Sequence, residues 1–224
     1  MQISQRTIAI LKSFDHINPK GIVFTPGNVI RVRDEGKDPS IIAFAETDDT
    51  FETSFAIYNI SQFISVLSSF ENPTLNFKEK YLFISQDKRE VQYTYGNPDL
   101  IQTPGLEEAL MPPTITDFTL TDTDLNKLTR ISNVLQFPDI AIVGEKGKLY
   151  LRGLDVKNPT NNLYNHQMEG NVDRDFKIVI PTAKIDMLMD VTYMVTAANG
   201  IIRFRGADTT YWIAPTEKDS EYSK

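Results

Sequence analysis

The chain has 224 residues, of which 41% are hydrophobic and 24% charged, so it is able to bury one large core or two smaller ones and is not a disordered chain. It has no cysteine and only two histidines, which excludes disulfides and thiolate chemistry and argues against a histidine-rich metal or catalytic centre. The net charge is -7, so bulk basic charge does not hold this protein on nucleic acid. Without an apolar run of about 18 residues or a secretory leader, we expect a soluble, cytoplasmic protein with no membrane contact.

The sequence repeats itself at a spacing of 120 to 121 residues. Matched pairs are Ile8 with Leu128, Gly27 with Gly147 and Leu82 with Ile202 at a shift of 120, and Phe55 with Phe176 and Ile57 with Ile178 at a shift of 121. Several blocks keep nearly one offset in the same order, which predicts two related units of about 100 residues each. Chance alignment of apolar residues in an α+β chain is the alternative.

The residue pattern of the first unit predicts a helix, a group of strands, a second helix and a second group of strands, in that order. In chain order the elements are a helix at 4–14 capped by Ser4, a hairpin at 21–33 turning at Pro26-Gly27-Asn28, strands at 41–44 and 51–59, a helix at 59–69 capped by Ser61, and strands in LNF, YLFI and VQYTY. The predicted domain covers residues 1–102.

The second unit repeats this order after a linker at 103–115 that contains three prolines. Its elements are a strand at 116–120, a helix at 124–136 capped by Thr121, a hairpin at Lys146-Gly147, a strand at 176–181, a short helix opened by Thr182, and a hairpin at Asn199-Gly200. The second domain is predicted at 116–217. A polar tail at 218–224 is expected to fray.

The predicted helices carry a basic excess within an acidic chain. Their charged residues are Arg6, Lys12, Asp122, Asp124, Lys127, Arg130, Lys184 and Asp186. These are five bases and three acids, so the helices carry +2 and the rest of the chain -9. Any amphipathic helix shows some basic residues to solvent, but their recurrence in both units predicts a surface for phosphates.

The sequence contains only incomplete matches to motifs for catalysis or ligand binding. GEKGK at 144–148 lacks the spacing of a phosphate-binding loop and lies between strands, so it predicts a hairpin turn. Residues 122–126 imitate the start of a calcium loop, but Lys127 replaces the glycine that such a loop needs. No catalytic residue, metal or organic cofactor is predicted.

Several stretches resemble the sliding clamps of DNA replication, and most closely those of T-even-type bacteriophages. They are TIAILKSFDHIN (7–18), FAIYNISQFISVL (55–67), DLNKLTRISNVLQ (124–136) and KGKLYLRGL (146–154). TTYWIAPTEKD (209–219) also resembles the last strand and tail of the eukaryotic clamp. The resemblance covers nearly the whole chain and is weakest at 71–113 and 155–172.

This resemblance implies an α+β fold of duplicated clamp-type domains, with antiparallel sheets outside and two helices per domain on the inner face. It implies a homotrimer that closes into a ring around double-stranded DNA. The function implied is that of a non-enzymatic processivity factor of viral DNA replication, which tethers the replicative polymerase, is loaded by an ATP-dependent clamp loader and works in the bacterial host cytoplasm. Enclosure needs only weak phosphate contacts, which agrees with the acidic chain.

The resemblance also assigns candidate sites. The DNA-facing candidates are Gln5, Arg6, Lys12, Gln62, Lys127, Arg130, Asn133 and Lys184. The candidates for a pocket that binds partner peptides are Leu110, Met111, Trp212 and Pro215. Subunit contact in this family implies pairing of 91–95 with 162–168 of the next chain.

Two other functions stay open at this point. A viral structural or assembly protein would use the same duplicated fold for protein contacts only. A small-molecule enzyme would use Asp48, Asp49 and His166 as acid–base groups, although no motif spacing supports it.

Overall fold

The computed structural model describes residues 1–105, 109–170 and 172–222. Residues 106–108 of the predicted linker and 223–224 of the predicted tail lie outside this part of the chain. The chain divides into two compact units, Met1–Glu107 and Glu108–Lys224, and this division falls within the predicted linker. Among the described residues, no helix is both long and apolar enough to cross a membrane.

The described residues of the first unit form two α-helices and seven strands. They are α1 (Gln5–Ile17), β1 (Gly21–Phe24), β2 (Gly27–Arg33), β3 (Ile41–Phe51), β4 (Phe55–Tyr58), α2 (Ile60–Ser68), β5 (Thr74–Phe77), β6 (Tyr81–Gln86) and β7 (Arg89–Thr94). All pairings within the unit are antiparallel: β1 with β4, β2 with β3, and β5 with β6 and β7 in a three-stranded sheet.

The second unit repeats this order between one additional strand at each end. Its elements are β8 (Thr114–Leu120), α3 (Asp122–Leu135), β9 (Asp139–Glu145), β10 (Lys148–Leu154), β11 (Tyr164–Met168), β12 (Phe176–Pro181), α4 (Thr182–Ile185), β13 (Tyr193–Ala198), β14 (Ile201–Arg205), β15 (Thr209–Ile213) and β16 (Glu221–Tyr222). One sheet has the order β11-β10-β9-β12-β16, and β15, β14, β13 and β8 follow one another in a second sheet.

The predicted internal repeat is confirmed by the strand pairing. The β1–β4 pair corresponds to β9–β12, and the β5-β6-β7 sheet corresponds to β13-β14-β15. Matched core positions agree as well, because Ile57 and Ile178 are both fully buried, as are Leu82 and Ile202. Even β8 has a counterpart, since Gln2 forms an isolated bridge to Thr74 just before α1.

The hairpin predicted at 21–33 is wrong. β1 pairs with β4 and β2 pairs with β3, so the chain changes sheets at the turn. Gly27 has φ 116°, a conformation that favours glycine and allows this change of direction. The corresponding turn at Lys146-Gly147 is the predicted hairpin, with both residues at positive φ as a type I′ turn requires.

The strand predicted at 41–44 continues to Phe51, because two polar side chains of its second half are buried and form hydrogen bonds. Thr47 Oγ1 donates to the carbonyl of Asn28 at 3.0 Å. The Asp49 carboxylate accepts the backbone N–H of Ser4 at 2.9 Å. Both side chains are buried, so β3 alternates with the period of a strand despite its polar sequence.

Helix ends and the tail also differ from the predictions. Asn59, not Ser61, caps α2 and accepts the N–H of Gln62. Thr182 begins α4, but this helix has only four residues and no side-chain cap. The predicted frayed tail is wrong as far as Tyr222, because a short 3-10 turn at Glu217–Asp219 leads into β16. By contrast, the predicted caps Ser4 and Thr121 are confirmed at α1 and α3.

The matched cores generate a stability prediction. Ile57→Ala and Ile178→Ala each remove a fully buried side chain at corresponding positions, so each is expected to lower the free energy of unfolding by about 2–5 kcal/mol. Urea denaturation followed by circular dichroism measures this loss. Val134→Ala is the control, since Val134 is 74% exposed and its loss is expected to change the free energy by less than about 0.5 kcal/mol. A loss below about 1 kcal/mol at either isoleucine contradicts the assignment of two equivalent cores.

Candidate nucleic-acid interface

One side of α1 is exposed and carries a single basic stripe. Its exposed residues are Gln5, Ala9, Lys12 and His16, spaced by three or four positions, while Arg6 beside them is half-buried. The opposite side, including Ile10, Leu11 and Phe14, is fully buried. The hydroxyl of Ser4 accepts the N–H of Thr7 at 3.0 Å and fixes the start of the helix. The predicted residues Gln5 and Lys12 therefore share one solvent-facing stripe.

The exposed side of α3 repeats this arrangement in the second unit. Lys127, Arg130 and Asn133 are exposed at a spacing of three residues. Leu125 and Leu128 are buried on the other side. The predicted residues of α3 thus lie on one solvent-facing stripe, as those of α1 do.

The exposed side of α2 is polar but uncharged. Ser65 Oγ donates to the carbonyl of Ser61 at 2.8 Å, and Ser69 Oγ donates to the carbonyl of Ser65 at 2.9 Å. Because the helix itself satisfies these hydroxyls, the face offers few free donors to an anion. Gln62 is exposed beside them, and its side-chain oxygen accepts the Tyr93 hydroxyl at 3.2 Å.

Asp15 is a charged helical residue that the sequence-based boundary excludes. The helix continues to Ile17 rather than ending at 14, which brings the Asp15 carboxylate into α1. Ser61 Oγ donates to this carboxylate at 2.7 and 2.8 Å and links α1 to α2. With Asp186 outside α4, the helices still hold five bases and three acids, a net charge of +2.

Lys184 differs from the other basic candidates. Its side chain is half-buried, and Nζ donates to the carbonyl of Ala214 at 2.9 Å. The ammonium group therefore stabilises the chain after β15, and its availability to a phosphate is lower than that of Lys12, Lys127 or Arg130.

β7 and β11 are two of the strands that lie at the end of a sheet in the described part of the chain. β7 pairs only with β6, and β11 pairs only with β10. Beside β7 is a groove of about 420 Å³ lined by residues of α2 and β7, among them Val66, Val91 and Tyr93. Beside β11 is a larger groove of about 770 Å³ between β8, β11 and the start of α3. Open edges of this kind are templates for strand pairing with another chain.

The groove beside β11 is acidic. Asp117, Asp124 and Glu169 line it together with His166, whose Nε2 lies 3.8 Å from the Asp124 carboxylate. Burial raises the pKa of Tyr164 above its ordinary value, and the negative charge of Asp124 raises that pKa further. These contacts depend on the pairing of β11 with β10, which a search for sequence motifs does not detect.

Asp48 and Asp49, the two acidic residues of the alternative enzyme, do not face one common site. Asp49 is buried and bonded to the start of α1, while Asp48 is exposed on the opposite face of β3. Within residues 1–105, 109–170 and 172–222, no group of three or more histidine or acidic side chains is arranged to hold a metal ion.

No family model matches the chain. The sliding clamp of Vibrio phage KVP40 is 29% identical over 222 residues, covering 96% of this chain and 98% of the relative. The sliding clamp of Escherichia phage RB69 is 26% identical over 206 residues, covering 83% of each. The chain is a homologue of these phage sliding clamps.

Solved structures agree with this relationship at the level of the fold. The proliferating cell nuclear antigen of Thermococcus kodakaraensis matches with a TM-score of 0.71 at 12% identity, covering 96% of this chain and 99% of that chain. The Helicobacter pylori β clamp, solved with a DNA ligase peptide, matches with a TM-score of 0.67 at 14% identity, covering 100% of this chain and 68% of that chain. The chain therefore has the sliding-clamp fold, and the predicted α+β class is confirmed.

The candidates for a peptide pocket in this clamp homologue differ in exposure. Trp212 is only 2% exposed within β15, and Pro215 is buried just after that strand. Leu110 is 94% exposed, and Met111 is half-buried. Leu110 is therefore accessible to a docking peptide, whereas the Trp212 side chain is enclosed in the core. The role of these four residues stays a prediction.

The acidic groove generates a prediction about Tyr164. Asp124→Asn is expected to lower the pKa of this phenol, because one of the two causes of its upward shift is removed while burial remains. Carbon NMR of labelled tyrosines across an alkaline titration measures it. Tyr93 is the internal control, since burial alone raises its pKa.

An unchanged pKa of Tyr164 in Asp124→Asn would contradict the assigned cause. The sign for stability follows from linkage. The folded-state pKa of Tyr164 lies above the ordinary value of 10.0. The stabilisation from this group is therefore fully present below pH 10.0 and is lost as the pH rises from 10.0 through the folded-state pKa.

Proposed function

We propose that this chain is the processivity factor of a viral replicative DNA polymerase. Three copies form a closed ring around duplex DNA, with the exposed stripes of α1 and α3 toward the DNA. The observation that carries this proposal is the full-length similarity to phage sliding clamps, joined to a basic helical stripe that recurs in both units. The clamp supplies no catalytic step of its own.

Charge explains how such a ring works. The chain carries -7 overall, while its helices carry +2. A duplex repels the acidic remainder and attracts the helical stripes, so the DNA is centred without being gripped. Contacts of this kind go to phosphates and carry no sequence information, which permits sliding. Retention then depends on ring closure rather than on affinity.

Subunit contact is the step that closes the ring. We assign it to the open edges of β7 and β11, which pair between neighbouring copies. Because one copy presents β7 and its neighbour presents β11, the interface is head-to-tail, and such an interface forms a ring when the rotation closes. The apolar residues Val91 and Val66 lie beside one edge, and Met168 lies on the other.

Partners follow from this function. The polymerase is tethered by a short peptide, with Leu110, Met111, Trp212 and Pro215 as the candidate pocket, and a separate ATP-dependent loader opens the ring. A related precedent is the Helicobacter pylori β clamp solved with a DNA ligase peptide. The place of action is the replication fork in the bacterial host cytoplasm.

Topological retention is the sharpest prediction of this function. The protein loaded on nicked circular DNA is expected to remain bound at moderate salt and to be lost when a restriction enzyme linearises the circle, because a ring slides off free ends. Gel filtration of the DNA-bound fraction measures this loss. Light scattering is expected to give a mass of three chains. Equal retention on circular and linear DNA would show ordinary binding instead of enclosure.

The helical stripes generate a separate prediction. Lys12→Ala combined with Arg130→Ala is expected to lower loading and retention while leaving the oligomer intact, since both side chains are exposed and neither lines the grooves beside β7 and β11. The slope of log affinity against log salt is expected to fall by roughly 1 for each lost phosphate contact. Lys80→Ala combined with Lys146→Ala is the matched control, because it removes the same charge from exposed turns. If both pairs lower retention equally, the stripes have no special role.

A further inference from the structure

The outer edge of β12 is covered by the chain itself. The N–H of Thr216 donates to the carbonyl of Val179 at 2.8 Å. In return, the N–H of Val179 donates to Ser220 Oγ at 3.0 Å. β16 then pairs with the first two residues of β12, Phe176 and Lys177. The segment 216–222 therefore fills a sheet edge that would otherwise present free backbone groups.

Two side chains anchor this segment. Ser220 Oγ accepts from Val179 and donates to the carbonyl of Thr216 at 2.9 Å, which closes the turn over the edge. The hydroxyl oxygen of Tyr222 accepts the N–H of Gly200, in the turn between β13 and β14, at 3.3 Å. Recognition thus uses one hydroxyl residue and one aromatic residue two positions later.

The cover is short compared with the rest of the sheet. β16 pairs over two residues, whereas β9 pairs with β12 over six and with β10 over seven. Glu221 is exposed and Tyr222 is only half-buried. A ladder of two residues with little burial belongs to the part of a structure that opens most easily.

The first unit covers the corresponding edge differently. There Gly96 donates its N–H to the carbonyl of Ala56 on β4 at 2.8 Å. The Tyr58 side chain, also on β4, exchanges two hydrogen bonds with the backbone of Asn97 at 3.1 Å. In the first unit the fixing side chain belongs to the sheet, whereas in the second unit the side chains belong to the covering segment. Only in the second unit, therefore, do the fixing side chains leave together with the covering segment.

We propose that residues 216–222 are a removable strand, and that the β12 edge with the Gly200 turn is a strand-addition site for an extended peptide of a partner protein. The peptide carries serine or threonine two positions before an aromatic residue. An acidic residue between them faces Lys177, as Glu221 does in the register of β16. Main-chain bonds supply affinity and the two anchors supply specificity. This proposal deepens the proposed function by naming a partner site on the clamp.

The covering segment then acts as an internal competitor. A peptide from outside binds only the fraction of molecules whose edge is open, so its apparent dissociation constant is the intrinsic one divided by that fraction. Weakening the anchors of the segment raises the open fraction. It therefore tightens external binding without changing the site itself.

The test uses full-length protein and a fluorescent peptide with the sequence of residues 216–222, TEKDSEY. Ser220→Ala combined with Tyr222→Ala in the protein is expected to bind this peptide at least tenfold tighter than the unchanged protein, a difference of about 1.4 kcal/mol. Fluorescence anisotropy measures binding, and the amide signals of Val179 and Gly200 report its location by NMR. Lys218→Ala in the protein is the matched control, since Lys218 is exposed in the same segment. Peptides with the serine or the tyrosine replaced by alanine are expected to bind at least tenfold more weakly.

Several results would overturn the proposal. They are equal peptide affinity in the doubly substituted and unchanged proteins, or peptide-induced shifts that omit Val179 and Gly200. Exchange of the segment between two copies, detected as a dimer that the double substitution abolishes, would make a second copy the occupant instead. If the double variant fails to fold, hydrogen exchange in the unchanged protein tests whether the segment opens. The proposal requires the amides of Val179 and Gly200 to exchange faster than the amides paired between β9 and β12, and equal rates would overturn it. These assays contain no DNA, so a failure of topological retention alone rejects the proposed function and not this site.

Discussion

Electrostatic repulsion between this acidic chain and duplex DNA sets the conditions for the other features of the protein. A duplex carries one negative charge per about 1.7 Å of its axis, and a chain of net charge -7 gains nothing by approaching it at random. The exposed stripes of α1 and α3 offer local attraction, but Asp15 and the acidic first turn of α3 keep it small. Weak attraction suits the proposed ring, because tighter contacts would slow its sliding.

Strand edges then decide what assembles and what stays closed. An open edge carries unpaired backbone donors and acceptors that another chain can use. β7 and β11 are open and lie beside grooves, which suits permanent pairing between copies. β12 is covered by only two paired residues, which suits exchange with a peptide. The same backbone chemistry thus underlies both proposals, pairing between copies at β7 and β11 and exchange with a peptide at β12.

Local signals in the sequence predicted much of the fold. Ser4 and Thr121 cap their helices as predicted, because the capping bond joins residues three positions apart. The hairpin at Lys146-Gly147 was predictable because it also depends on neighbouring residues, since Glu145 pairs with Lys148 across the two-residue turn. The turn at Gly27 was not, since its outcome depends on whether β2 or β4 pairs with β1, and that choice is made by contacts far along the chain. Similarly, Asp49 belongs to a strand only because Ser4 supplies its partner from 45 positions away.

The candidate site shows the same division between local and distant information. Helical spacing placed Lys127 and Arg130 on one exposed stripe, because periodicity is a local property. It did not predict that Lys184 bonds to Ala214 or that Ser61 bonds to Asp15, since both contacts join separate elements. Nor did composition reveal the covered edge, where a polar segment rich in charge was expected to fray. Ser220 and Tyr222 order that segment through single bonds to Val179 and Gly200. A polar segment next to an unpaired strand is therefore better judged by the donors that strand leaves free than by its own hydropathy.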